Sequence, residues 1–82
     1  NPIAAYNLAS LKYRRGDWQG AQFIIRRVNN GDFANAETLW LGIKIERRLG
    51  QNDVVEQLAQ QLQRRFPQSN EWAAYQRGAF ND

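Results

Sequence analysis

The 82-residue chain contains no cysteine, no histidine and no methionine. The missing cysteine excludes disulfides and thiolate metal sites. The missing histidine removes the commonest general base and the usual zinc and haem ligands. Carboxylates are scattered without a paired-acid or metal-loop pattern, and aliphatic hydroxyls are limited to Ser10, Thr38 and Ser69. We therefore expect no enzyme activity, no cofactor and no metal site.

Long apolar segments are missing as well. No apolar run approaches the ~20 residues that a membrane-spanning helix requires, and no signal peptide is recognisable. Because methionine is missing, we expect that residue 1 is not the translation start.

Most of the positive charge of the chain is carried by arginine. The net charge is +3, and eight of the nine arginines form four adjacent pairs at positions 14–15, 26–27, 47–48 and 64–65. Each pair stands just before a break in the helical pattern, where a cation stabilises a helix C-terminus by ~0.3–1 kcal/mol. Two interpretations stay open: helix-end chemistry on a solvated face, or recognition of an anionic partner. Since the pairs are dispersed and no nucleic-acid motif is present, we do not expect a nucleic-acid partner.

Apolar periodicity predicts five helices and no strand. They cover residues 3–15, 18–28, about 35–49, 54–66 and 69–78. Asn1, Asp17 and Ser69 are N-cap residue types, whereas Gly16 and Gly50 are typical helix terminators. The run 23–25, Phe-Ile-Ile, lies within helical pattern, so we interpret it as buried helix.

The helical pattern repeats. Gly16 and Gly50 lie 34 residues apart, and a shift of that length mostly keeps the apolar class. Thirty-four residues is the period of the tetratricopeptide repeat (TPR), a helix–turn–helix unit. A generic helical bundle is the alternative.

The first unit, residues 6–21, resembles the TPR consensus closely. The small residues Ala9 and Ala21 would let its paired helices approach, and Gly16 would permit the sharp turn between them. The second unit matches less well, since Gly42 stands where leucine is expected and Val55 where alanine is.

We therefore predict an all-α fold, a TPR-like α–α superhelix of two helical hairpins and a C-terminal capping helix. The units are residues 3–31, 35–67 and 69–78 of a single domain, 1–82. Because solenoids generally need three or more repeats, we expect this to be part of a longer array. The exposed flank of the first helix, with Ile3 and Leu11, should then be apolar, and it could support homodimerisation.

Two segments are more distinctive than the TPR pattern alone. They are residues 36–50, Ala-Glu-Thr-Leu-Trp-Leu-Gly-Ile-Lys-Ile-Glu-Arg-Arg-Leu-Gly, and residues 62–71, Leu-Gln-Arg-Arg-Phe-Pro-Gln-Ser-Asn-Glu. Together they resemble the C-terminal part of the type IV pilus biogenesis/stability TPR lipoproteins, the PilW/PilF family. The resemblance spans nearly the whole chain.

The resemblance implies a pilotin, which assists outer-membrane localisation or assembly of the pilus secretin and stabilises pili. It implies a periplasmic, outer-membrane-associated protein whose lipid anchor lies upstream of this chain. The alternatives are a generic TPR adaptor or chaperone-like module and, third, a small regulatory or nucleic-acid-binding helical domain.

A partner of a TPR array binds the concave face formed by the first helix of each hairpin. Helical phase gives these candidates for the protein-binding groove: Tyr6, Asn7, Ser10, Tyr13, Arg14, Trp40, Lys44, Arg47 and Arg48. Aromatic and arginine side chains are common interface anchors, so an acidic peptide would suit this groove. Whether Trp40 and Tyr6 face the groove or pack between helices stays open.

Overall fold

The protein is described here by a computed structural model that covers residues 1–80. Five helices account for most of them: α1 (Pro2–Arg14), α2 (Trp18–Asn29), α3 (Ala36–Arg48), α4 (Asn52–Arg65) and α5 (Asn70–Arg77). No strand occurs between residues 1 and 80. The predicted all-α class with five helices is thus confirmed. Within the same range no helix is long and apolar enough to cross a membrane.

Three of the helix starts use the caps that the sequence predicted. The backbone N–H of Ile3 donates to the side chain of Asn1, that of Gly20 to Asp17 and that of Trp72 to Ser69. The Gly20 N–H, together with Lys12, lowers the pKa of the Asp17 carboxyl. Each cap satisfies one of the backbone donors that a helix N-terminus leaves unpaired.

The start of α3 is tied down more firmly. Asn35 and Thr38 form a reciprocal capping box, with the Thr38 N–H donating to Asn35 Oδ1 (2.9 Å) and the Asn35 N–H to Thr38 Oγ1 (2.8 Å). This arrangement fixes the direction in which α3 leaves the preceding turn.

Consecutive helices pack as hairpins, α1 on α2 and α3 on α4, and α5 packs on both α3 and α4. The turns within the two hairpins depend on Gly16 and Gly50, whose φ angles are +83° and +74°. Side chains other than glycine rarely adopt that conformation. The two hairpins meet through α2 and α3, with a smaller contact between α1 and α3.

Two clusters of buried side chains form the core, and α3 contributes to both. Leu41 and Ile45 of α3 pack with residues of α1 and α2, whereas Leu39 and Ile43 pack with α4 and the turn before α3. The remaining buried members are Ala9, Tyr13, Ala21 and Ile25 in the first cluster and Ala34, Leu58, Ala59 and Leu62 in the second. α3 is therefore the central helix of the molecule.

Small residues stand where helices approach each other most closely. Ala9 and Ala21 are completely buried. A Cβ atom on Gly42 would lie 2.8 Å from Asn29 Nδ2 and 3.1 Å from Leu58 Cδ1. Gly42, which departs from the expected leucine, is thus the point at which α2 and α4 both press against α3.

A buried carboxylate joins the two hairpins. Glu46 of α3 is fully buried and accepts hydrogen bonds from Arg26 Nε (2.7 Å), Arg26 Nη2 (3.1 Å) and Gln22 Nε2 (2.8 Å). The hydrogen bond raises the pKa of Arg26. Because the carboxylate is paired by two donor side chains, its desolvation is offset.

Not every apolar side chain is covered. The prediction that residues 23–25 are helical is confirmed. The prediction that Phe23 is buried was wrong, since its exposed fraction is 65%. It lies on the outer side of α2, beneath the guanidinium of Arg27. The flank of α1 is exposed as expected: the exposed fraction is 71% for Ile3, 47% for Leu8 and 42% for Leu11.

Replacing Gly42 by alanine should destabilise the fold by roughly 1–3 kcal/mol, because the new methyl group overpacks the junction of three helices. Gly31→Ala is the matched control, since a Cβ there meets only backbone oxygens at 3.6 and 3.7 Å. Chemical denaturation monitored by circular dichroism measures both. An equal loss in the two variants would contradict the assigned role of Gly42.

Glu46→Gln should cost roughly 1–3 kcal/mol of unfolding free energy, since two charge-assisted bonds to Arg26 are lost. The cost stays below that of a fully buried pair because the Arg26 side chain is 46% exposed and can rehydrate. Glu56→Gln, at an exposed position of α4, should stay within about 0.5 kcal/mol. Similar midpoints for the two variants in urea would disprove the role of Glu46.

Candidate protein-binding face

A lysine joins the first helices of the two hairpins. The ammonium of Lys44, on α3, lies 5.8 Å from the ring centroid of Tyr13, on α1, and 5.4 Å from that of Trp40. Both distances are within the range of a cation–π interaction. This contact brings together three of the predicted groove residues across the α1–α3 boundary.

The row continues toward the C-terminus. Phe80 stacks on Trp40 with ring centroids 5.4 Å apart, and the guanidinium of Arg47 lies 4.4 Å from the centroid of the Phe80 ring. We call the five side chains Tyr13, Lys44, Trp40, Phe80 and Arg47 the aromatic–cation row. It runs from α1 across α3 to the segment after α5.

Burial differs along this row. Tyr13 and Lys44 are buried, Trp40 and Phe80 are half-buried, and Arg47 is exposed. Lys44 is only 8% exposed, so the two ring faces replace part of the water that its ammonium loses. The accessible part of the row is therefore the end formed by Trp40, Phe80 and Arg47.

Tyr6 and Trp40 both pack between helices and stay partly accessible. Each side chain is half-buried, Tyr6 packing against the first core cluster and Trp40 against the second. Each one thus combines a packing contact with a surface that remains accessible.

The other predicted groove residues lie beside the row rather than in it. Tyr6 and Asn7 line an open cavity of about 330 Å³ at the N-terminal end of α1 and α3. Ser10 accepts a hydrogen bond from Arg14 over 3.2 Å. Arg48 lies over the ring of Trp18, 5.4 Å from its centroid, and so faces the start of α2.

Phe80 was not among the predicted site residues, because the capping helix was predicted to end at Gly78 and no role was assigned to the residues after it. Gly78 has φ +73°, and the N–H of Ala79 donates back to Ala74 O over 2.9 Å. This left-handed turn reverses the chain after α5 and brings Phe80 against Trp40. An aromatic residue shortly after a helix-terminating glycine was the available signal.

The arginine pairs do stand at helix ends, as predicted, in the last turn of α2, α3 and α4 and at the end of α1. Several also make tertiary contacts. Arg65 donates to the carbonyl oxygen of Ala34 over 3.2 Å, and Arg26 binds Glu46. Part of the positive charge of the pairs is therefore used in contacts within the chain.

The face presents cationic and aromatic side chains. Its cations and ring faces suit carboxylates and aromatic side chains. Among residues 1–80 there is no group of His, Cys, Asp or Glu that could hold a metal ion.

Comparisons with protein-family models, with curated proteins and with solved structures give no match to this chain.

The contact between Arg47 and Phe80 should be measurable as a coupling energy. A double-mutant cycle with Arg47→Ala and Phe80→Ala should give about 0.5–1 kcal/mol, typical of a partly exposed cation–π pair. The reference is Arg27 and Phe23, which lie 5.8 Å apart on the outer side of α2 and should couple more weakly. Thermal and urea unfolding of the wild type and the six variants gives both values, and zero coupling at Arg47 would contradict the row.

Proposed function

We propose that the chain is a TPR-type scaffold that binds a protein segment. The proposal is supported by the 34-residue spacing of Gly16 and Gly50, both with positive φ, and by the complete burial of the small residues Ala9 and Ala21. It is also supported by the contact of α1 with α3, the first helices of the two hairpins. In a TPR array such helices line the surface that receives the partner.

The observation that carries the binding role is the aromatic–cation row. Both hairpins contribute to it, with Tyr13 from the first and Arg47 from the second. Arginine and large aromatic side chains are the residues on which binding energy most often depends. A partner segment with acidic residues would complement the cations of the row.

We further propose the function of the pilus pilotins: assisting the outer-membrane secretin of type IV pili from the periplasmic face of the membrane, with the lipid anchor upstream. Support comes from the resemblance of residues 36–50 and 62–71 to that family. Within the second segment, Ser69 donates to Phe66 O over 2.8 Å and accepts the N–H of Trp72 over 3.0 Å. Gly42 and Glu46 have packing roles in the first.

Those motif residues mainly hold helices together, so the resemblance supports the shared fold more directly than the shared partner. The partner must be tested separately. A generic TPR adaptor, which would use the same face for a different protein, is the alternative.

The decisive experiment is capture of the purified periplasmic region of a type IV pilus secretin. The chain, immobilised through its N-terminus, should retain it. The double charge reversal Arg14→Glu with Arg47→Glu alters one residue of the row and one predicted groove residue beside it, and should reduce retention about tenfold or more, the range of a few interface contacts. Arg27→Glu with Arg64→Glu changes the net charge equally at positions outside both the row and the predicted groove, and should leave retention within about twofold.

No retention of the secretin by the folded wild-type chain would refute the pilotin proposal. Equal losses in the two double variants would show that only net charge matters, which would refute the assignment to the row. Binding of duplex DNA with a steep dependence on salt would instead favour the nucleic-acid alternative.

A further inference from the structure

We infer that Phe80 occupies, within the chain itself, a slot that accepts an aromatic side chain of the protein partner. The inference rests on the proposed binding function, because it specifies the chemistry of the segment that the face would recognise.

The slot is built from two helices around one ring. Trp40 of α3 stacks on Phe80 at 5.4 Å and 29°, and Tyr75 of α5 meets it edge-on at 5.9 Å and 83°. Arg47 covers the ring from 4.4 Å. Stacked and edge-to-face pairs at these separations are the preferred aromatic geometries. Three contacts of different kinds thus converge on a single phenyl group.

The side chain that fills this slot is held by a short segment outside the helices. α5 ends at Arg77, and Phe80 follows the left-handed turn at Gly78. The helix end is completed by hydrogen bonds from Gly78 and Ala79, whereas the N–H of Phe80 donates to the nearby Gly78 O, over 3.0 Å. Phe80 can therefore leave the slot without breaking the caps of α5.

The surroundings of the slot specify more than an aromatic ring. An open cavity of about 480 Å³ adjoins it, lined by Arg47, Arg48, Gly78 and Phe80. Both charged residues of this lining are arginines, which bind carboxylates through paired hydrogen bonds. A fitting partner segment therefore carries an aromatic residue within one or two positions of Asp or Glu.

Phe80 competes with such a segment. A tethered group has an effective concentration in the millimolar range when its linker is short, so a partner in solution must displace it. Removing the Phe80 ring should expose the slot and strengthen binding of an aromatic peptide supplied from outside.

The test uses the full chain and a fluorescent peptide with the chain's own sequence 77–82, Arg-Gly-Ala-Phe-Asn-Asp. Fluorescence anisotropy should give tighter binding to Phe80→Ala than to the wild type, by about tenfold or more because the tethered competitor is gone. A peptide with alanine in place of phenylalanine should lose that gain. Adding Arg47→Met to Phe80→Ala should weaken binding of the original peptide.

The matched control is Phe23→Ala, which removes another phenylalanine beneath an arginine, but on the outer side of α2. It should bind the peptide as the wild type does. Circular dichroism verifies that each variant keeps its helices. Where Phe80→Ala loses them, Phe80→Leu keeps an apolar side chain without the ring and takes its place.

Equal affinity of the wild type and the folded Phe80 variant overturns the inference, as does binding that ignores the phenylalanine of the peptide. These failures differ from a failure of the proposed function. If the secretin is captured normally while the peptide is not, the slot is refuted and the scaffold remains. If the peptide binds as expected while the secretin is not captured, the slot stands and the pilus partner is refuted.

Discussion

The structure depends on a single helix that is buried from two sides. α3 contributes Leu41 and Ile45 to one core cluster and Leu39 and Ile43 to the other. A helix covered on both sides needs close approach of its neighbours, and Gly42 supplies the space for α2 and α4 at one level of the axis. In a chain of this length, whose core is small, this shared helix joins the two clusters of buried side chains.

Burial of α3 also creates an electrostatic requirement. One turn after Gly42, Glu46 is fully enclosed, and its carboxylate would be costly there without partners. Arg26 and Gln22, both on α2, supply the donors. The ion pair therefore fixes the rotation of α2 relative to α3, a register that apolar packing alone would define less strictly. The ion pair between Arg26 and Glu46 lies at the junction between the two hairpins. It therefore also fixes the relative orientation of the two hairpins, on which a surface formed by residues of both depends.

The sequence predicted the helices well because their signals are local. Asn1, Asp17 and Ser69 cap the helices where their side chains suggested, and Gly16 turns the chain as expected. It predicted less about contacts between distant segments. The prediction that Phe23 is buried was wrong, because a continuous apolar run does not reveal which of its side chains face a neighbouring helix. The role of Gly42 depends on Asn29 and Leu58, residues of two other helices, so it could only be read from the assembled fold.

The candidate site divides along the same line. Helical phase brought Tyr13, Trp40, Lys44 and Arg47 into one group, since these residues follow a repeating pattern on α1 and α3. Phe80 belongs to no helix, so periodicity said nothing about it. Its position follows from the turn at Gly78, which directs it onto Trp40. The cations of the row are thus preorganised against rings of the chain itself. The aromatic ring of a partner would take the place of the Phe80 ring, which lowers the cost of recognition because Trp40, Tyr75 and Arg47 already hold the required geometry.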